Sequence, residues 1–144
     1  MPFATVGDIQ MFYQDLGVPA GRPVVMIQGF TGTGSSDWAH QIHSFRSGFR
    51  LIIPDLRGHG RSNNPSGSAA MNQRQFAADI AMLCDQLGIA RAAFFGESTG
   101  SMLQLSLAVS RPDLMATAVL AAASHFWSKD HRDSLRRNRP NSIN

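Results

Sequence analysis

The chain has 144 residues, 43% of them hydrophobic and 16% charged. That composition excludes an intrinsically disordered protein and is enough for one domain with a real core. Its single cysteine, Cys84, excludes an internal disulfide, and no apolar stretch reaches the ~18 residues of a membrane span.

The formal charge of +3 is unevenly placed. Residues 1–128 balance eight arginines with eight acids, and the whole excess comes from Lys129, Arg132, Arg136, Arg137 and Arg139 against Asp130 and Asp133. Without interleaved aromatics or a groove-reading motif, this tail reads as a solvated basic helix end or a segment out of its context, ahead of a nucleic-acid arm. The opening residues lack a basic stretch followed by an apolar one, so the expected location is cytoplasmic.

In chain order, Phe3–Val6 and Ile9–Gln14 flank Gly7-Asp8 and predict a β-hairpin. Gly17 to Pro23 is a loop. Val24-Val25-Met26-Ile27 is apolar throughout, the sign of a strand buried on both faces of a parallel sheet. The glycine-rich loop Gln28–Gly34 follows. Gly32-x-Gly34-x-x-Asp37 lacks the third glycine of a dinucleotide fingerprint, which leaves the second use of such a loop, a backbone N–H aimed at an oxyanion.

Ser36 or Asp37 is the expected cap of a short helix over 38–46 that carries Trp38, Ile42 and Phe45. His40 and His43 lie on it. Spaced i, i+3 without a third ligand, they make a poor metal site. Residues 49–53 form the next strand, stopped by Pro54, and Asp55–Ser62 is a compact polar turn. Asn72 caps a helix that places Phe76, Ile80, Leu83 and Leu87 on one stripe, with Gly88 as its stop. Cys84 belongs to that helix and reads as a buried, inert thiol.

Ala92–Phe95 is a strand, and Gly96-Glu97-Ser98-Thr99-Gly100 follows it directly. Helix 99–110 comes next, and its mostly apolar Met102–Val109 predicts burial on most sides. Strand 117–121 is the last element in the alternation. The pattern predicts an α/β fold, a mostly parallel sheet with flanking helices and an antiparallel hairpin at its start.

Strand, sharp turn, helix is the context in which G-x-S-x-G carries chemistry. The serine stands exposed at φ > 0, and glycines two before and two after it let the strand and the helix nearly touch. The helix N-terminus points its N–H groups at the same spot, where they stabilise a developing anion. Two other readings are a glycine-bracketed turn without chemistry and a phosphate cradle. The second fails because Lys129 is the sole lysine and lies far from the motif.

Three features in order, Gln28-Gly29-Phe30, Asp55-Leu56-Arg57-Gly58-His59-Gly60-Arg61-Ser62 and Gly96-Glu97-Ser98-Thr99-Gly100, resemble the α/β-hydrolase superfamily over nearly all of residues 1–124. The resemblance implies Ser98 as nucleophile, with the backbone N–H groups of Phe30 and Thr99 forming the oxyanion hole. It makes His59 a shaper of its loop rather than an acid–base group. Gln28 stands where the family usually has histidine, and it can still brace the loop. Serine at position 98 fits the esterase-like branches and argues against the haloalkane-dehalogenase and epoxide-hydrolase branches, which use aspartate.

The family orders its triad Ser, then Asp or Glu, then His. After Ser98 the candidates are Asp113, His125, Asp130, His131 and Asp133, and the reading accepts none of them as triad members. It therefore expects residues 1–124 to be the N-terminal part of the hydrolase core, truncated after strand 117–121. Residues 125–144 are then the start of the lid segment or an aberrant basic tail.

The implied function is a cofactor-free, metal-free serine hydrolase acting on a small-molecule carboxylic ester or related acyl bond, with this chain alone expected to be nearly inactive because its triad acid and base are not recognisable. The alternatives are a non-catalytic binding protein that self-associates through an open sheet edge, or an acyltransferase using the same serine. Neither nucleic acid nor a membrane is an expected partner.

Overall fold

A computed structural model describes residues 2–123. Six strands form one sheet: β1 (Phe3–Val6), β2 (Ile9–Gly17), β3 (Arg22–Ile27), β4 (Phe49–Pro54), β5 (Ala92–Glu97) and β6 (Met115–Ala121). Their order is β1-β2-β4-β3-β5-β6. The hairpin β1–β2 is antiparallel, as is its junction to β4. The pairs β3–β4, β3–β5 and β5–β6 are parallel. The expected α/β architecture is therefore present, with β3 at its centre because Val24 to Ile27 are buried on both faces.

Strand alternation sorts the core into two layers. On one face Val25, Ile27, Ile52 and Phe94 pack against Phe76, Ile80 and Leu83 of α3 (Gln73–Gln86) and Leu103 and Leu107 of α4 (Thr99–Ser110). On the other, Val24, Met26, Leu51 and Ile53 pack against Trp38, with Ile42 and Phe45 of α2 (Ala39–Phe45) closing over them. Each fully buried large aliphatic or aromatic side chain contributes about 1.5–3 kcal/mol.

Asn72 caps α3 as the sequence predicts, its side-chain oxygen accepting the Gln75 N–H at 3.0 Å, and Gly88 follows the helix at φ 65°.

Two local expectations are corrected. Neither Ser36 nor Asp37 caps the helix over 38–46. Helix starts earlier, at α1 (Gly34–Asp37), and Thr33 caps it in a reciprocal box with Ser36. Thr33 and Ser36 have the spacing of a capping box, so the glycine-rich loop closes into a helical turn before Trp38. Second, α4 is not buried on most sides. Leu103, Gln104 and Leu107 face the sheet, while Leu105 and Val109 point outward at 42% and 86% exposure. A helix lying on one face of a sheet has an outer stripe whatever its composition.

Cys84 is fully buried, and burial pushes its thiol up to about 12. The folded chain is expected to resist alkylation by a thiol reagent at neutral pH, with Cys84 labelled stoichiometrically once denaturant unfolds it. Rapid labelling of the native chain would contradict this packing.

Candidate active site

Strands β3 and β5 run parallel and end together, with Ile27 opposite Gly96. Three residues beyond that last pair stand Phe30 on one side and Thr99 on the other. The site is built at this shared carboxyl end, where open α/β sheets place their ligands.

Ser98 joins β5 to α4 with φ 47° and ψ −107°. A non-glycine residue held there costs on the order of 1–3 kcal/mol of backbone strain. The surroundings impose that conformation. The Ser98 N–H donates to Ala121 O of β6 at 2.9 Å, and its carbonyl accepts the Met102 N–H at 3.0 Å. The Ser101 hydroxyl lies 2.7 Å from both Gly96 O and Ala121 O, and its one proton serves either. A Cβ on Gly96 would stand 2.4 Å from the Gly100 carbonyl carbon, and one on Gly100 would stand 2.3 Å from Ile27 O. The near-contact of strand and helix expected from the two glycines is what the structure has.

The facing loop is braced from several directions. The fully buried Gln28 donates through Nε2 to Gly32 O at 2.5 Å and accepts the Leu56 N–H at 3.4 Å. Asp37 accepts the Gly29 N–H at 2.9 Å. Asp55 accepts the Gly34 N–H at 3.0 Å and the Arg61 N–H at 2.9 Å, so one carboxylate fastens both loops. His59 Nε2 lies 2.7 Å from Phe30 O, and Nδ1 lies 2.9 Å from Arg57 O. Its ring meets that of Phe30 edge-on at 5.3 Å between centroids. His59 thus holds the loop that carries Phe30, the shaping role read from the sequence.

The polar turn that holds His59 is itself buried. Arg57 is 1% exposed and forms a bidentate pair with Asp79 of α3 through Nε at 2.8 Å and Nη2 at 2.9 Å. Nη2 also reaches Asp8 at 2.7 Å. Asp79 escaped the sequence reading. Its position three residues after Phe76, on the buried stripe of α3, was the available signal for a carboxylate with an internal partner.

Asp113, a sequence candidate for the triad acid, lies in a short 3-10 turn (Pro112–Leu114) just before β6. That is the end of the sheet opposite Ser98. It pairs with Arg111 at 2.8 Å, and the guanidinium holds its carboxyl below the usual range. His125, Asp130, His131 and Asp133 lie outside the described residues. His40 and His43 are exposed on α2.

A family model described as the alpha/beta hydrolase fold matches residues 22–140. The chain belongs to the alpha/beta hydrolase family. Among curated relatives of this alpha/beta hydrolase, a non-heme chloroperoxidase of Streptomyces lividans is 39% identical over 115 residues, covering 78% of this chain and 41% of the relative. A proline iminopeptidase of Xylella fastidiosa is 34% identical over 111 residues, covering 77% and 35%. A solved thermophilic esterase from Thermogutta terrifontis superposes with a TM-score of 0.80 at 30% identity, over 93% of this chain and 48% of its own. The chain therefore spans less than half the length of each of these three proteins. Among the described residues no helix is long and apolar enough to cross a membrane.

Proposed function

We propose that this alpha/beta hydrolase is a serine hydrolase acting on a small-molecule carboxylic ester or related acyl bond, with Ser98 as its nucleophile. The observation that carries the reading is the backbone of Ser98, held at positive φ where the central strands end. Strain of this kind persists only where surrounding structure over-determines it, and it concentrates at functional positions. The esterase at 30% identity supports the same class.

In this mechanism Ser98 Oγ attacks the substrate carbonyl. The N–H groups of Phe30 and Thr99 donate to the oxyanion that forms, each worth about 3–4 kcal/mol in the transition state. His59 and Gln28 act as positioning residues, fixing the loop that presents Phe30. The proton of Ser98 must pass to a base oriented by a carboxylate. The described residues offer none in place: His59 has both ring nitrogens on backbone carbonyls, and His40 and His43 are exposed. The base is accordingly assigned to residues beyond Ala123 or to a second polypeptide.

The test is hydrolysis of a short-chain chromogenic ester by the chain and by its Ser98→Ala variant. Loss of the serine is expected to lower turnover by roughly 10³-fold or more. Equal rates in the two proteins would mean that these 144 residues do not activate Ser98 and that the chain is a hydrolase remnant without its acid and base. If wild type turns over, His125→Ala and His131→Ala together decide whether a histidine base after Ser98 lies within these 144 residues.

A further inference from the structure

Among the described residues His59 is the one histidine that the fold buries, and its ring meets two acceptors. Nε2 lies 2.7 Å from Phe30 O and Nδ1 lies 2.9 Å from Arg57 O. A carbonyl oxygen can only accept, so each contact needs an N–H from the ring. Neutral imidazole has one N–H and the imidazolium has two. With a single proton, a ring lone pair would face a carbonyl lone pair at hydrogen-bond distance. Turning the ring over does not resolve this, because it sets a ring carbon against each oxygen instead. Water has little access, since His59 is 9% exposed and the rings of Phe30 and Phe76 flank it at 5.3 and 6.2 Å between centroids.

The surrounding charges call for a cation at this point. Asp55, Arg57 and Asp79 are all buried. Arg57 is committed to Asp79 of α3. Asp55 stands in the same turn as His59, against Gly60, and accepts the backbone N–H groups of Gly34 and Arg61. It has no salt-bridge partner among the described residues. Two buried anions therefore stand against one buried cation, and a second proton on His59 closes the difference. The other charged groups nearby reach water or are engaged elsewhere. Arg61 is exposed and lies over the Phe12 ring at 4.5 Å, the Asp8 side chain reaches solvent, and Asp37 takes the Gly29 N–H. The loop Gln28–Gly34 carries no charged residue.

We propose that His59 is a proton-operated latch on the loop that presents Phe30. Doubly protonated, it ties the Phe30 carbonyl to the turn at Arg57, and loss of one proton frees one of the two carbonyls. The Phe30 carbonyl and the Phe30 N–H pivot on one Cα, so a freed carbonyl leaves that N–H less fixed. The latch stands on geometry and charge alone. Its consequence for catalysis, a weaker oxyanion hole when the proton is lost, rests on the reading of Ser98 as nucleophile.

The experiment is nuclear magnetic resonance of the isotope-labelled full chain from about pH 5 to about pH 8, the span in which histidines ordinarily titrate. His59 is assigned from its proximity to the Phe30 and Phe76 rings, which needs no variant, and the exposed His40 and His43 serve as references in the same spectra. Two slowly exchanging ring N–H signals from His59 are expected at neutral pH. A single ring N–H there overturns the proposal. Release of the loop is read from amide exchange at Gly29 and Thr33, which are held by Asp37 and Ser36. Corrected for the intrinsic effect of pH, their protection should fall about tenfold or more when one proton leaves His59, the worth of a charge-assisted hydrogen bond. Amides within α3 should keep their protection. If His59 holds both protons throughout, His59→Gln takes the place of titration, because its one amide nitrogen cannot reach both carbonyls, and the same fall is expected. Unchanged protection at Gly29 and Thr33 means that the loop does not depend on the latch, and this also overturns the proposal. None of these measurements requires turnover, so an inactive chain leaves the test intact, and the charge state is decided on the wild-type chain however the variant folds.

Discussion

Arg57→Met is expected to destabilise the chain by about 3–5 kcal/mol, read as a fall in the midpoint of urea unfolding. That is a large share of the roughly 5–15 kcal/mol that holds a domain of this kind. The reason lies in what the substitution leaves behind. Asp79 is 0% exposed and takes two hydrogen bonds from Arg57, with one more from Gln75 Nε2 at 2.9 Å. Without the guanidinium a buried carboxylate keeps only that amide.

Asp79→Asn should cost less, because Arg57 retains Asp8, whose side chain is 42% exposed and reaches solvent. The double variant Arg57→Met, Asp79→Leu should recover part of the loss, since neither charge is then stranded. If the double variant is no more stable than Arg57→Met, the pair is not the source of the effect.

The same network sets an acid limb. Asp8 is held down to about 2 from its ordinary 3.8, first by its hydrogen bond from Arg57 and then by one from Ser66. A depressed carboxyl contributes stability that is complete above its unfolded value and is lost as pH falls through the folded value. The wild-type chain should therefore lose this contribution between about 3.8 and about 2, and the limb should flatten in Arg57→Met.

Gly100→Ala is expected to destabilise by at least about 2 kcal/mol and to abolish any activity that depends on Ser98. In an ordinary helix the same change stabilises by roughly 1 kcal/mol, so the sign is the test. Here the added Cβ would lie 2.3 Å from Ile27 O and 2.8 Å from Gln28 O. Both atoms are backbone, in the central strand and its braced loop, and neither can rotate away. The first turn of α4 would have to lift off β3 and carry Ser98 with it. Gly48→Ala is the control. Nothing lies within 4 Å of its Cβ position, and its effect should stay within about 0.5 kcal/mol. A stabilised Gly100→Ala chain would mean that strand and helix do not meet this closely.

The sequence was legible where the physics is local. Four consecutive apolar residues at 24–27 told of a strand covered on both faces, and the 76, 80, 83, 87 stripe gave α3 its inward side. Asn72 and the pair Gly96 and Gly100 could be read because capping and close approach each demand few residue types. Ser98 followed from that spacing.

The errors and omissions came where position in the whole fold decides. The composition of α4 left its outer stripe invisible, because Leu105 and Val109 look the same as Leu103 and Leu107 until the sheet takes one side. Asp37 read as a cap and became a brace on Gly29, a choice made by the path of the loop after β3. Asp55 joins loops 21 and 6 residues away in sequence, and Arg57 meets Asp79 across 22 residues. Such pairings have no periodic signature, since they arise from strand order.

By itself the sequence determined the alternation of strands and helices, the placement of a serine at a strand-to-helix turn, and the identity of its two loops. Local propensity and glycine geometry are written residue by residue. The tertiary structure alone decided that those loops converge beside Ser98 and that Asp113 is left at the far end of the sheet. Those are consequences of which strands lie side by side, and burial of the two-faced central strand is what sets that order.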